Sequence, residues 1–278
     1  MTEDCPECGA TLRWDAHTCI SCGAVPAPPN VRFAERAIEA AALSLSWARA
    51  LELASSNKAT AEVERLDHLA KHSKMVINRK LRALSEWINS DDELYVNFYK
   101  LRERGLEYED NVYNRQRVSA ENTISPNFFD QLVVGALTID GRGMTYYGEY
   151  TILIRQDRIA SRASVFWENP FIFNKNHSII SGEDPPVGYR APWGERNKIV
   201  VAKLAGDVKP GDGDAALAAL VMGPDRAAKD CDFVEVHVHK HIHANEIEAV
   251  IAPSEIPADD EDAWEFLRDK LATKSIKC

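Results

Sequence analysis

The stretch "DFVEVHVHKHIHANEIEAV", Asp232 to Val250, decides how the C-terminal half of this chain is read, because Glu235, His237, His239, His241 and His243 recur at every second position. On a β-strand alternate side chains share a face. Val234, Val236, Val238 and Ile242 therefore form the opposite, apolar side, which the pattern predicts to be buried. Four imidazoles and a carboxylate are rarely interred without partners, so their side is predicted to be wet or to line a cleft. Two histidines at i and i+2 can reach one zinc, iron or manganese ion. Beyond the strand, only His177 lies in the same half, the remaining histidines being His17, His68 and His72. No H-E-x-x-H motif accompanies them. A second metal at His237, His239, His241 and His243 and a plain polar strand face both stay open.

Around this strand the texture from about Asn111 onward is strands and turns. "QLVVGALTIDGRGMTYYGEYTILIRQD" holds two β-rich runs about a "DGRG" turn, and "ASVFWENPFIFN" and "KIVVAKLAG" (Lys198 to Gly206) add strand candidates. "AALAALVMG" reads as a short helix, and an acidic linker, "PADDED", leads to a terminal helix in "AWEFLRDKLATK". Residues 111–278 are thus expected to form an α+β domain with a mixed or antiparallel sheet.

Upstream, residues 30–110 read as helical. Ile38, Ala41, Leu45 and Ala48 make one apolar stripe, and Val63, Leu66, Ala70, Ile77, Leu81, Leu84 and Ile88 make a second along a helix of about 59–88. "SSNKAT" between them suits the turn of an antiparallel hairpin. "SDDELYVNFYKLRERG" offers a further N-cap with early acids and Gly105 as a stop. Lys58 to Arg82 carries a local charge of +4. With mixed signs and no interleaved aromatics, this reads as a solvated face rather than a nucleic-acid surface.

Ahead of the proline-rich "VPAPPN" linker, residues 1–29 contain "CPECG" and "CISCG". A Cys-x-x-Cys turn points two sulfurs at one locus, and two such turns close a tetrahedron: Cys5, Cys8, Cys19 and Cys22 are the ligand set expected of a structural Zn2+ ribbon. Disulfides suit secreted chains, and thioredoxin-like chemistry needs only one pair beside a βαβ unit. An iron–sulfur site is the remaining alternative. The segment's local charge of −3 disfavours a phosphate-gripping module.

The whole chain of 278 residues carries a formal charge of −10, so general attraction to phosphate backbones or anionic membranes is not favoured. The start lacks a basic and apolar leader pattern, and no run reaches the roughly 20 apolar residues of a spanning helix. A cytoplasmic protein without membrane association is the expectation.

"FVEVHVHKHIHANEIEAVI" resembles the C-terminal catalytic strand of NAD-dependent ADP-ribosyltransferase toxins, in which a Glu-Ala-Gln-Ile-His-like stretch is followed by an Asp-Ile-Glu-Glu-Val-like one. Glu235, His237 and His239 match the first part; Ile247, Glu248 and Val250 match the second. Upstream, Tyr147 and Gly148 resemble the family's Tyr-Gly strand. Arg162, Ala163, Ser164, Val165 and Phe166 resemble its Arg-Ala-Thr-Phe-Thr-like stretch. The resemblance covers about residues 111–253. It implies an ADP-ribosyltransferase-like fold with NAD as substrate and Glu235 as the catalytic acid. Arg117, Ser119, Tyr146, Tyr147 and Arg162 are the candidates for holding NAD. The family's first-strand cation and Ser-Thr-Ser stretch have no plain counterpart here; Arg117 and Ser119 in "NRQRVSAEN" stand in for them. The glutamate pair of arginine-modifying relatives is absent, which points to a nucleobase, another side chain or water as acceptor.

Three functions follow as expectations. The first is transfer of ADP-ribose to a macromolecular target, nucleic acid or protein, in a toxin or defence setting with a possible neutralising partner protein. The second is a non-catalytic zinc-ribbon regulator that contacts nucleic acid or protein. The third is a metal-dependent hydrolase or nuclease using His237 and His239.

Overall fold

The computed structural model describes residues 2–13, 16–89, 94–95, 97–103, 105, 112–180, 183–223, 226–228 and 231–278. Strands β1 (Thr2–Asp4) and β2 (Thr11–Arg13) pair in the N-terminal ribbon. Helices α1 (Pro29–Ala34), α2 (Ala37–Ser56) and α3 (Thr60–Lys71) follow, then β3 (Lys74–Arg79), α4 (Leu81–Asn89), β4 (Leu94–Tyr95), α5 (Phe98–Glu103) and α6 (Val112–Ile124). The C-terminal half runs β5 (Leu132–Thr138), β6 (Tyr150–Ile154), α7 (Gln156–Ile159), β7 (Ala163–Phe166), α8 (Pro170–Asn176), β8 (Arg190–Pro192), α9 (Arg196–Leu204) and α10 (Asp214–Val221). It closes with β9 (Glu235–His239), β10 (Ile242–His243), β11 (Ile247–Ile251) and α11 (Glu261–Thr273).

Seven strands make one antiparallel sheet in the order β11-β6-β3-β5-β9-β7-β8. The fold is mixed α+β, as the alternation of patterns implies. One sheet face carries the main core: Val236 and Val238 of β9, and Val234 just before it, are fully buried together with Val63 and Leu66 of α3 and Ile199 and Leu204 of α9. Burying each such side chain contributes roughly 1.5–3 kcal/mol. The other face is covered by shorter pieces, among them α1, α6 and α8, with small clusters such as Ile124, Phe166 and Phe173.

The structure corrects four sequence expectations. "KMVINR" is not the middle of a helix but strand β3, between β5 and β6 at the heart of the sheet. Met75, Val76, Ile77 and Asn78 are all buried, so both faces of the strand are interior, and a continuous apolar run of this kind has no period that separates strand from helix. Val63, Leu66 and Ala70 do line α3 and Leu81, Leu84 and Ile88 line α4, and their spacing happened to run on across the strand between them. "KIVVAKLAG" is helix α9 rather than a strand: packed on α2 and α3, it buries most of its circumference, Arg196 and Asn197 included, so no helical period shows and three consecutive β-branched residues suggest a strand. On α2 the buried residues are Glu39, Leu43, Ala50 and Ala54, whereas Ile38 and Leu45 of the predicted stripe are exposed; an alanine-rich helix offers two apolar faces, and tertiary packing chose the other. Finally, the histidine strand stops early. Lys240 takes a positive φ of 66°, a left-handed conformation that ends β9 and removes His241 and His243 from its alternation. The acidic cap expected at 90–93 lies outside the described residues.

Candidate functional site

In the ribbon the two Cys-x-x-Cys turns are near copies of each other. Cys5 N–H donates to Ala10 and accepts at its carbonyl from Gly9; Cys19 N–H donates to Ala24 and accepts from Gly23, all at 2.8 Å. Gly9 and Gly23 both have φ near +70° (69° and 74°), which the chain needs to double back at this point. The four sulfurs lie within 4.8 Å of one another, with Cys5 to Cys22 at 3.8 Å and Cys8 to Cys19 at 3.7 Å. A tetrahedron with metal–sulfur bonds of about 2.3 Å has edges of about 3.8 Å, whereas a disulfide needs about 2.05 Å. The donor set therefore fits one metal ion. An amide of Cys22 helps hold the Cys19 thiol down at about 7, while, against the Ala24 amide, the neighbouring sulfurs of Cys8, Cys19 and Cys5 push the Cys22 thiol up to about 12. Among the described residues, the ribbon's apolar core is Cys5, Leu12 and Cys19 with three alanines around them, a small core that a bound ion would stabilise.

The ribbon is tied to the sheet. Glu3 pairs with Arg32 at 2.6 Å, and Asn30 of α1 donates to the carbonyls of Arg162 and His237 and to Ser164 Oγ, bridging β7 and β9.

On β9, Glu235, His237 and His239 do share one face, but that face is not wet: they are 3%, 6% and 5% exposed. Each has a partner. Glu235 and His237 Nε2 meet at 2.8 Å, the His237 ring stacks on Phe166, and His239 Nε2 meets Gln131 Oε1 at 3.0 Å. Burial, with Lys240 nearby, drops the His239 pKa to about 4, so its ring is neutral at physiological pH. Among the described residues, no cluster of three or more metal-ligating groups exists apart from the four cysteines.

Glu235 and His237 form one wall of a small pocket whose other lining includes Glu121, Ile124 and Ser125 of α6 and its C-terminal turn, Phe129, Pro170, and Leu132 and Val134 of β5. It measures about 20 Å³, room for one water. Its edge is open: Val134, opposite His237 in the register, is 37% exposed although it lies on a central strand of the sheet. Glu121 Oε2 accepts from the Tyr99 hydroxyl at 2.8 Å, and Glu121 Oε1 pairs with Arg117 at 3.2 Å. Burial raises the Glu121 carboxyl to about 6; Arg117 and Tyr99 oppose that rise and the Glu235 carboxylate adds to it. The Arg117 guanidinium lies over Phe98, and its Nε is buried with no hydrogen-bond partner among the described residues.

Tyr147 joins the same electrostatic neighbourhood. Its phenol is raised above the ordinary value by desolvation and then by Glu235, while Arg117 and Arg79 pull the other way. The tyrosine turn sits there because Gly148 lies flush on β3: a Cβ at Gly148 would fall 2.1 Å from the Arg79 carbonyl carbon. Asn78 fastens the turn by donating to the Gly148 carbonyl and Thr151 Oγ1. Besides Glu121, Arg79, whose guanidinium lies over the Tyr95 ring at 4.5 Å, belongs to this neighbourhood without being among the sequence candidates. It ends the strand mistaken for helix, and a strand reading of "KMVINR" was the signal that would have found it.

Of the sequence candidates, Glu235 and Arg117 lie within electrostatic reach of Tyr147, with Tyr146 half exposed against Tyr147. Two others lie elsewhere. Ser119 is on the exposed side of α6, since two residues along a helix from Arg117 turns the side chain away. Arg162 is a bracket for the end of β9: it binds both Glu246 oxygens at 2.8 Å and the carbonyls of His239 and His241 at 2.7 and 3.0 Å. Its donors are thereby committed to the protein.

No protein-family model matches the chain, and no curated protein is detectably similar to it. No helix among the described residues is long and apolar enough to cross a membrane.

Proposed function

We propose that the chain is an NAD-dependent ADP-ribosyltransferase of toxin or defence type. In this reading Glu235 is the catalytic carboxylate, and a Zn2+-loaded ribbon and its helices serve target choice. The supporting observation is a buried carboxylate, Glu235, that together with Arg117 and Arg79 lies within electrostatic reach of Tyr147, itself packed against Tyr146. Breaking the nicotinamide–ribose bond builds positive charge on the ribose, and a carboxylate fixed in a desolvated wall stabilises it more strongly than one in water. Glu235 is held for that task by His237 and by the flanking strands, where Ala136 and Phe166 are its register partners. Arg117, with a spare buried donor, and Arg79 supply cations for the diphosphate, and Tyr146 and Tyr147 supply an aromatic surface for nicotinamide.

The pocket at Glu235 has room for one water and not for a dinucleotide, so in this reading NAD lies along the exposed Val134 rim and only its ribose approaches Glu235. The test is labelled NAD with a cell lysate. Label reaches a macromolecule with wild-type protein, and Glu235→Gln lowers the rate about 10²–10⁴-fold while the protein still unfolds in a single cooperative transition. Equal labelling by both proteins removes Glu235 from the chemistry.

A further inference from the structure

Glu235 is not the only carboxylate in the pocket. Resting on the transferase reading above, we infer that Glu121 is a second catalytic group: the base that takes the proton of the attacking nucleophile, water or an acceptor hydroxyl. Both residues line the same 20 Å³ space, Glu235 from β9 and Glu121 from α6. That space accommodates one water molecule, the size of the simplest nucleophile.

Their surroundings separate their roles. Glu235 is bonded to His237 inside the sheet, whereas Glu121 is held at its two oxygens by Tyr99 and Arg117 on the helical side. The charged and titratable groups facing Glu121 are Tyr99 from α5, Arg117 from its own helix, and Glu235 and His237 from β9. With its carboxyl raised to about 6, Glu121 is ionised at neutral pH yet basic enough to accept a proton, the poise a general base requires. In the step, the ribose C1′–nitrogen bond breaks and nicotinamide departs with the electron pair. The nucleophile's oxygen bonds to C1′, and its proton passes to the Glu121 carboxylate. No oxidant or reductant is needed.

The experiment measures nicotinamide release from NAD in water, with no added acceptor, across pH 4.5–8.5. Wild-type turnover should fall on the acid side with a midpoint of about 6. Glu121→Gln should lower the rate about 10²-fold or more and abolish that acid limb. Tyr99→Phe deletes a hydrogen bond that favours the ionised carboxyl, so its limb should move to higher pH, a displacement that mere loosening of the fold would not produce. Glu121→Asp, which keeps the carboxylate, should retain the limb at reduced rate. A Glu121→Gln protein with wild-type rate and limb overturns this inference alone. A wild-type protein that releases no nicotinamide overturns the transferase reading and takes the inference with it.

Discussion

Glu39 and Arg190 form an ion pair inside the protein, 3% and 5% exposed, and removing one partner tests whether the pocket's α6 wall is anchored there. Arg190 Nε meets Glu39 Oε1 at 3.1 Å, Glu39 Oε2 accepts from the Gly188 amide at 2.6 Å, and Arg190 Nη1 donates to the Ile124 carbonyl at the end of α6. The guanidinium also sits over Phe33 at 4.3 Å. Burial already lowers Arg190 to about 10, with Glu39 opposing that fall. Glu39→Leu leaves this cation desolvated and unpaired, which costs about 3–5 kcal/mol. At about 2–4 °C per kcal/mol, the melting temperature should drop roughly 6–20 °C. The double variant Glu39→Leu with Arg190→Met removes both charges and should recover most of that loss, because two apolar side chains can replace a buried pair at little cost. The assay is thermal unfolding by circular dichroism of the four proteins of the cycle. A Glu39→Leu cost below about 1 kcal/mol, or a double variant worse than the single one, would refute the reasoning.

Three further outcomes are expected. Metal analysis should give about one ion per chain, and Cys19→Ser should abolish it and strip amide protection from residues 2–24 while leaving the sheet protected. Gly148→Ala should destabilise by about 2–3 kcal/mol in urea titrations, since its new methyl meets the β3 backbone and its φ of +147° is strained for a side chain. His239 has a folded pKa below its ordinary value, so the unfolded chain takes up the proton first and stability falls as pH drops from about 6.5 to about 4, by up to about 3 kcal/mol. His239→Gln should flatten that part of the stability profile.

What the sequence made legible was whatever local chemistry enforces. The cysteine turns need their spacing and glycines whatever surrounds them, so the ribbon could be read directly. The valine and histidine alternation of Glu235 to His239 is a strand property and survived, yet it could not reveal that both faces are interior, because α6, α8 and α1 come from distant sequence. For the same reason Glu121 stayed hidden: in sequence it is one acid on a polar helix, and only the fold sets it against Glu235. Arg162 shows the converse, a residue plausible by position whose donors were consumed by Glu246 and two carbonyls. Arg79 was lost with β3, where a fully buried strand carries no alternation to detect.

The claim on which the account turns is that a dinucleotide seats along the rim formed by α6 and the β5–β9 strands. Amide hydrogen exchange with and without NAD tests this directly. The account predicts altered exchange confined to residues 117–125, 132–136, 145–148 and 235–237, absent in a protein carrying Arg79→Met and Arg117→Met. Unchanged exchange at saturating NAD, or changes centred elsewhere, would contradict it.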